Sequence, residues 1–260
     1  MKRALRVPVK MEFWEHASHL GHWRHRRWWP SATVQFAVLG MCLLPISAAL
    51  AVLLGIPYVS MAGLIGFAGF VSAMTLATFA ANRHFPHRVI GMCNLVTALR
   101  LGLVSVLAAS IFAPSSGGWG VFSVAVLAFA LDGLDGWLAR RAQLVSEFGA
   151  RFDMEVDSLL AITLAVLAWQ SGEVGAYVLL LGMPRYIFGV TGKVLPWLNA
   201  PLPDRFSRKV VCVVQIAALL LALLPISIGC FAAWAIGAAA LAVVWSFWLD
   251  IRWLYRTAPG

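Results

Sequence analysis

The stretch from Asp132 to Asp157 reads DGLDGWLARRAQLVSEFGARFDMEVD and contains two pairs of aspartates. Residues three or four positions apart lie on the same face of a helix, so Asp132 pairs with Asp135 and Asp153 pairs with Asp157. A connection of roughly ten residues between two helices favours antiparallel neighbours. We therefore expect two adjacent helices that bring four carboxylates together at one depth.

The sequence around this stretch is that of a membrane protein. Hydrophobic residues make up 61% of the chain and charged residues only 12%, and the mean hydropathy is +0.84. A helix needs about 20 apolar residues to cross a bilayer core of ~30 Å, and open sheets would leave unpaired backbone groups in lipid. The sequence predicts an all-α integral membrane protein with about eight transmembrane helices, at roughly 33–54, 60–81, 92–113, 119–141, 151–171, 174–194, 209–226 and 230–250.

The positive charge is distributed asymmetrically. The formal net charge is +9, yet no Lys or Arg occurs in the alternate polar turns at 55–59, 114–118, 171–173 and 225–229. This is the positive-inside pattern, which predicts that both termini and the aspartates face the cytoplasm of a bacterial-type inner membrane. Charge at membrane edges suits anionic lipid headgroups, so we expect no nucleic-acid partner. Residues 1–30 interleave Lys and Arg with Trp and are predicted to be a cytoplasmic interfacial segment.

The aspartate cluster indicates a metal site. Ionisable residues within membrane spans are candidates for function by default, and four neighbouring carboxylates repel one another unless a cation compensates them. Oxygen ligands without His or Cys favour a hard ion such as Mg²⁺, Mn²⁺ or Ca²⁺. Gly136, Ala139 and Gly149 provide small side chains for close approach, and Arg140 is placed to hold a phosphate oxygen. Two carboxylates alone would equally fit a proton relay or the cation site of a transporter.

The full pattern resembles the signature of the CDP-alcohol phosphotransferase family, D-x2-D-G-x2-A-R-x8-G-x3-D-x3-D. Every defined position is present in this chain. The resemblance implies a six-helix catalytic core, here residues 89–260, preceded by two additional transmembrane helices in 31–88. The segment Asn94-x2-Thr97-x2-Arg100 is similar to one that precedes the signature in many members. The matching positions of the signature are Asp132, Asp135, Gly136, Ala139, Arg140, Gly149, Asp153 and Asp157.

The resemblance also implies roles for these residues. Asp132, Asp135 and Asp153 would hold two divalent ions, Mg²⁺ or Mn²⁺, against the pyrophosphate of a CDP-linked donor. Asp157 would lie beside them at the metal site and act as the catalytic general base on the acceptor hydroxyl. The cytidine and phosphates would contact Asn94, Thr97, Arg100, Gly136, Ala139, Arg140 and Gly149.

The acceptor is harder to predict. An arginine within the sixth span and three basic residues before the seventh would form a rim that favours an acceptor carrying phosphate. Members acting on glycerol 3-phosphate or inositol phosphate look similar here, although this chain has Val211 and Cys212 where Lys and Thr would be expected. The four basic residues are Arg185, Arg205, Arg208 and Lys209.

Three functions follow from these features. The leading prediction is a phospholipid-synthesis enzyme that transfers a phosphatidyl group from CDP-diacylglycerol to a small polar hydroxyl acceptor and releases CMP. A second is a CDP-choline or CDP-ethanolamine type enzyme with a lipid acceptor, which has no use for Arg185. A third is a divalent-cation transporter, against which the aspartate string has no second copy in the chain. A homodimer is possible, and the two additional helices would pack on the core, mediate dimer contacts or shape lipid entry.

Overall fold

The structure is a computed structural model of the 260-residue chain. It describes residues 30–85, 87, 89–113, 118–142, 146–199, 205–226 and 229–257, without the side chains of residues 134–142, 196 and 199. The chain divides into two units, Met1–Pro30 and Ser31–Gly260. The interfacial segment predicted for residues 1–30 therefore lies, apart from Pro30, outside the described residues.

The described part of the second unit is entirely helical, which confirms the predicted all-α class. It contains nine α-helices and two short 3-10 turns, and no strand among the described residues. The helices are α1 Ala32–Leu53, α2 Met61–His84, α3 Met92–Ser110, α4 Trp119–Ala142, α5 Glu147–Gln170, α6 Leu179–Gly182, α7 Pro184–Val194, α8 Phe206–Ala222 and α9 Gly229–Thr257. The 3-10 turns are Ala176–Val178 and Pro196–Asn199.

Four of the described helices are long and apolar enough to cross a membrane. They are α1, α2, α3 and the Cys230–Thr257 part of α9, while Trp119–Gly133 of α4 is apolar but shorter. Large apolar side chains cover the outside, as at Leu53 and Trp234, which are 82% and 80% exposed. Such a surface suits lipid rather than water. The chain is an integral membrane protein, and the number of eight spans stays a prediction.

The block expected as one helix over 174–194 is interrupted. It consists of the 3-10 turn Ala176–Val178, the single turn α6 and the separate helix α7, which begins at Pro184. Proline has no amide hydrogen and its ring clashes with the preceding helical turn, so it starts a helix and does not continue one. The connection between α4 and α5 also differs from the expected ten residues, because α4 reaches Ala142 and α5 begins at Glu147.

Helix α3 is the centre of the bundle. Its apolar window is 67% buried, against 22% for α1 and 28% for α2, and it packs against α1, α2, α4 and α5. The α2 contact is close, since a Cβ at Gly66 would lie 2.8 Å from the Ala109 Cβ and 2.9 Å from the Ser105 carbonyl oxygen. Any larger residue at position 66 would force α2 away from α3. This central position carries Asn94, Thr97 and Arg100 into the interior.

The two helices before residue 89 pack against the rest of the bundle. Phe36 of α1 meets Phe148 of α5 edge to face at 5.4 Å between ring centroids, and Phe148 stacks on Phe152 at 5.9 Å. Gln35 accepts a hydrogen bond of 3.0 Å from the amide of Ile90. Edge-to-face and stacked aromatic pairs each add about 0.5–1.5 kcal/mol beyond the area they bury. The start of α5 is therefore held from its α1 side by an aromatic cluster.

Candidate active site

Three of the four predicted aspartates come together. Asp132 projects from α4 and Asp153 and Asp157 from α5, and one carboxylate oxygen of each lies within 4.8 Å of the others. The three side chains are 32%, 34% and 45% exposed, in that order. The side chain of Asp135 lies outside the described residues, so its place in the cluster stays a prediction.

Arg100 of α3 lies in the middle of these carboxylates. Its Nη1 is 2.9 Å from Asp132 Oδ1 and 2.7 Å from Asp153 Oδ1, and its Nη2 donates a hydrogen bond to Asp157 Oδ1. Its Nε donates to the carbonyl oxygen of Ala128 on α4 at 3.2 Å. Arg100 is fully buried. One guanidinium thus joins α3, α4 and α5 at the site.

Arg100 was predicted to lie beside the cytidine, and its contact with the aspartates was not predicted. A signal was present, because an arginine inside a membrane span needs an anionic partner and the nearest acidic residues in the spans are those of the signature. The prediction that two helices build the site was incomplete, because it left out α3, which carries Arg100. Helix α3 packs extensively on both α4 and α5 and links them through Arg100.

The charges of the cluster fit a divalent cation. Three ionised carboxylates against one guanidinium leave two negative charges in a partly buried setting, which is costly without further compensation. Carboxylate oxygens are the ligands that Mg²⁺ and Mn²⁺ prefer, and no His or Cys lies within the group. The donor set therefore fits a hard divalent ion, with the substrate's phosphates as its counterpart.

Asn94 and Gly149 meet at the starts of α3 and α5. The Ser146 hydroxyl caps α5 by accepting a hydrogen bond of 3.0 Å from the amide of Gly149. A Cβ at Gly149 would lie 2.9 Å from Asn94 Oδ1 and 3.0 Å from Ser146 Oγ, so only glycine fits without a shift. Asn94 is 1% exposed, and its Nδ2 has no hydrogen-bond partner among the described residues. A buried donor left unpaired costs about 1–3 kcal/mol, which makes this amide a candidate ligand contact.

The other residues predicted at the nucleotide site divide into two groups. Thr97 is buried one turn after Asn94, and its hydroxyl donates to the carbonyl oxygen of Cys93 at 2.9 Å. The structure thus places Asn94, Thr97, Arg100 and Gly149 on α3 and α5 near the aspartates. The side chains of Gly136, Ala139 and Arg140 lie outside the described residues.

Arg185 is paired with a carboxylate on the neighbouring helix. Its Nη2 donates to Glu155 Oε1 on α5, and its Nη1 lies 3.6 Å from the sulfur of Met154. Both partners are partly exposed, 39% for the arginine and 55% for the glutamate. The sequence analysis gave Glu155 no partner. Arg185 is the second residue of α7, in the interrupted segment that was predicted as the sixth span. Its side chain reaches α5 from there.

Arg205 and Arg208 share a partner that the sequence analysis did not identify. Arg208 binds Asp250 of α9 through both carboxylate oxygens, with Nε to Oδ2 at 3.1 Å and Nη2 to Oδ1 at 3.0 Å. Arg205 Nη1 is 3.8 Å from the same Oδ1. Asp250 is 6% exposed, and Lys209 is exposed. A bidentate pair of this kind holds the start of α8 against α9.

Comparisons with known proteins identify one matching family and several similar proteins. The model of the family described as CDP-alcohol phosphatidyltransferase matches residues 90–248, a range that contains every described residue of the site but Asp250 and excludes α1 and α2. Proteins of Mycobacterium bovis and Mycobacterium tuberculosis named "Putative cardiolipin synthase" are 31% identical over 88 residues. That match covers 34% of this chain and 42% of each relative, so the chain spans less than half of their length. No solved structure matches the chain.

Proposed function

The chain belongs to the CDP-alcohol phosphatidyltransferase family, and we propose that it is a membrane transferase of phospholipid synthesis that transfers a phosphatidyl group from CDP-diacylglycerol to a hydroxyl acceptor. The acceptor oxygen forms a bond to the phosphorus that carries the diacylglycerol, the bond from that phosphorus to CMP breaks, and the acceptor loses its proton. The observation that supports this reaction is the convergence of Asp132, Asp153 and Asp157 around Arg100.

We assign the acceptor proton to Asp157. This carboxylate is 45% exposed, against 32% for Asp132 and 34% for Asp153, so an acceptor reaches it most easily. A general base has to lie within hydrogen-bond reach of the hydroxyl. Asp132, Asp135 and Asp153 would hold Mg²⁺ or Mn²⁺. When bound, such ions neutralise charge that develops on the transferred phosphate and on the departing CMP.

Arg100 acts in this proposal as a positioning residue. Its three bonds hold the Oδ1 atoms of Asp132, Asp153 and Asp157 on one buried guanidinium, and the bond to Ala128 fixes the arginine itself. Without it, the carboxylates would repel one another whenever substrate and cation are absent.

The nucleotide would bind where α3 and α5 begin. Asn94 has an unpaired buried donor at this point, and the absence of a side chain at Gly149 lets the Asn94 amide lie against the start of α5. The carbonyl and ring nitrogen of a pyrimidine are acceptors that an amide of this kind can satisfy. Thr97, Gly136, Ala139 and Arg140 complete the set proposed for the CMP half of the donor.

The acceptor proposed here carries a phosphate. Arg205, Arg208 and Lys209 supply positive charge at the start of α8, where Asp250 keeps the two arginines ordered before the acceptor arrives. Arg185 is paired with Glu155, on the face of α5 opposite Asp153 and Asp157, and is not part of this proposed acceptor site. Glycerol 3-phosphate and inositol phosphate have this chemistry. The name of the mycobacterial relatives favours a second candidate, phosphatidylglycerol, whose glycerol hydroxyl would yield cardiolipin and which also carries a phosphate.

The test is CMP release from labelled CDP-diacylglycerol by membranes that contain the protein, with Mg²⁺ or Mn²⁺. Glycerol 3-phosphate, inositol phosphate, phosphatidylglycerol, serine and choline are supplied in turn, and the same membranes with Asp157→Asn protein serve as control. A phosphate-bearing acceptor should give CMP and the matching lipid. A parallel assay supplies CDP-choline or CDP-ethanolamine as donor and diacylglycerol as acceptor. Turnover in that assay alone would reverse donor and acceptor, and no CMP from any pair would refute the proposal.

A further inference from the structure

A cavity of about 640 Å³ lies between α2, α5 and α7. Its inner walls are apolar, with Ala73, Ala77 and Ala80 from α2 opposite Val156 and Leu159 from α5. The three alanines recur at helical spacing, so a single face of α2 is short of side-chain volume there. The size falls within the range of about 300–1,000 Å³ that is typical of ligand pockets.

The cavity is separate from the candidate active site. None of the three clustered aspartates lines it. At 3.6 residues per turn, the mean direction of Phe152 and Leu159 on α5 differs from that of Asp153 and Asp157 by about 130°. The cavity therefore lies behind α5 as seen from the aspartates, and a donor held at the aspartates cannot fill it directly.

The surroundings define the chemistry of an occupant. Helix α2 is one of the candidate membrane spans, so the apolar walls lie at the depth of the lipid hydrocarbon. The polar rim at one end includes Glu147, Arg151 and Glu155. Arg151 Nη2 is 2.6 Å from Glu147 Oε1, and Glu155 accepts a hydrogen bond from Arg185. The charged lining residues are thus two acids and one base, with His84 and Tyr186 beside them.

We propose that this cavity binds one acyl chain of a zwitterionic phospholipid of the surrounding bilayer, with its headgroup at the rim formed by Glu147, Arg151 and Glu155. The headgroup phosphate matches Arg151, and its ammonium matches the two glutamates, whereas an anionic headgroup would add negative charge where carboxylates already outnumber arginines among the lining residues. The apolar chain exchanges contacts with bilayer lipid for contacts with a wall of alanines and leucines, so packing and the headgroup contacts, rather than removal from water, favour binding. This lipid is a ligand and not the reacting donor.

The proposal gives the additional helices a specific role. The family match begins at residue 90, so α2, which supplies one wall of the cavity, lies outside it. The core helices alone would leave the α5 face of Val156 and Leu159 without this wall. The lipid would join α2 to α5 on the side opposite the catalytic carboxylates.

In the experiment, the full chain is reconstituted in nanodiscs that contain equal amounts of phosphatidylethanolamine and phosphatidylglycerol. The protein is then released from the nanodiscs, and native mass spectrometry measures which lipid stays bound to it. The wild type should retain one phosphatidylethanolamine. Ala77→Phe, which fills the cavity from α2, and Leu159→Trp, which fills it from α5, should each lower the retained fraction at least about tenfold, equivalent to ~1.4 kcal/mol. Ala68→Phe places the same ring on the exposed face of α2 and should retain lipid as the wild type does.

Four results would overturn the proposal. They are no retained lipid in the wild type, preferential retention of phosphatidylglycerol, unchanged retention in both filled variants that give a wild-type circular dichroism spectrum, and a raised KM for CDP-diacylglycerol in Ala77→Phe. The last result would mean that the cavity holds the donor. Lipid retention is read without turnover, so failure of the proposed reaction would not affect it.

Discussion

The contact of Arg100 with three aspartates leads to a quantitative prediction for Arg100→Met. Methionine keeps much of the volume and removes the charge, which leaves three carboxylates within 4.8 Å of one another. Breaking a buried ion pair by removing one partner costs about 3–5 kcal/mol. The aspartates are about one-third or more exposed, so solvent screening reduces the loss. We expect the free energy of unfolding to fall by about 3 kcal/mol, the lower end of that range.

The same variant should respond more strongly to divalent cation. In the wild type, the guanidinium supplies one of the positive charges that the carboxylates need, whereas in Arg100→Met a bound cation has to supply all of them. Thermal unfolding followed by tryptophan fluorescence, in detergent with EDTA or with Mg²⁺, measures both effects. We expect a lower Tm in EDTA and a larger rise of Tm on addition of Mg²⁺ than the wild type shows.

Two matched variants serve as controls. Arg100→Lys retains the charge but not the forked geometry and should fall between the wild type and Arg100→Met. Arg151→Met removes an arginine from an ion pair with Glu147 in which the side chains are 68% and 79% exposed, and such pairs contribute about 0–1 kcal/mol. The reasoning is refuted if Arg100→Met is no less stable than Arg151→Met, or if Mg²⁺ raises the Tm of Arg100→Met no more than that of the wild type.

Three further predictions concern activity. Asp157→Asn should abolish CMP release while leaving the Kd for CDP-diacylglycerol within about threefold, an energy below ~0.7 kcal/mol. Asp132→Asn should weaken the binding of both Mg²⁺ and the donor. Equal effects of the two variants on donor binding would contradict the assigned roles. Gly149→Ala should raise the donor KM at least about tenfold, because its Cβ meets two oxygens at 2.9 and 3.0 Å; steady-state kinetics with an unchanged KM would show that the backbone there adapts. Asp250→Asn should raise the acceptor KM more than the donor KM, because Arg208 loses a bidentate partner; the opposite order would remove Arg208 from the acceptor site.

The sequence predicted most of the helices because their signal is local. Apolar blocks of membrane length and the helical spacing of Asp153 and Asp157 are properties of neighbouring residues, and both persist in the fold. Pro184 was a visible signal for a break in the sequence, but the high hydropathy of residues 174–194 led to the prediction of one continuous helix. The start of α5 at Glu147 depends on capping by Ser146, which apolar periodicity does not report.

The partners of the arginines could not be predicted in the same way. Arg100 lies 53 and 57 residues before two of its partners, and Arg208 lies 42 residues before Asp250. Pairing at such separations depends on how helices pack and on which faces meet, which a single sequence specifies only globally. The empty volume behind α5 arises likewise from how α2, α5 and α7 pack, so the alanines of α2 alone do not predict it.

The central place of α3 has a consequence for how the protein is made. Synthesis proceeds from the N-terminus, so α3 enters the bilayer before the aspartates of α4 and α5 exist. Until then Arg100 lies near the middle of an apolar helix without an acid, at a cost of up to about 3 kcal/mol, which its long side chain lowers by extending toward the membrane surface. The arrival of α4 supplies Asp132, and the arrival of α5 supplies two further carboxylates, which complete the contacts that hold the guanidinium inside. The step that completes the catalytic cluster is therefore also the step that removes the free-energy cost of an unpaired Arg100 in the membrane. Correct assembly of the helices and formation of the active site depend on the same ion pairs.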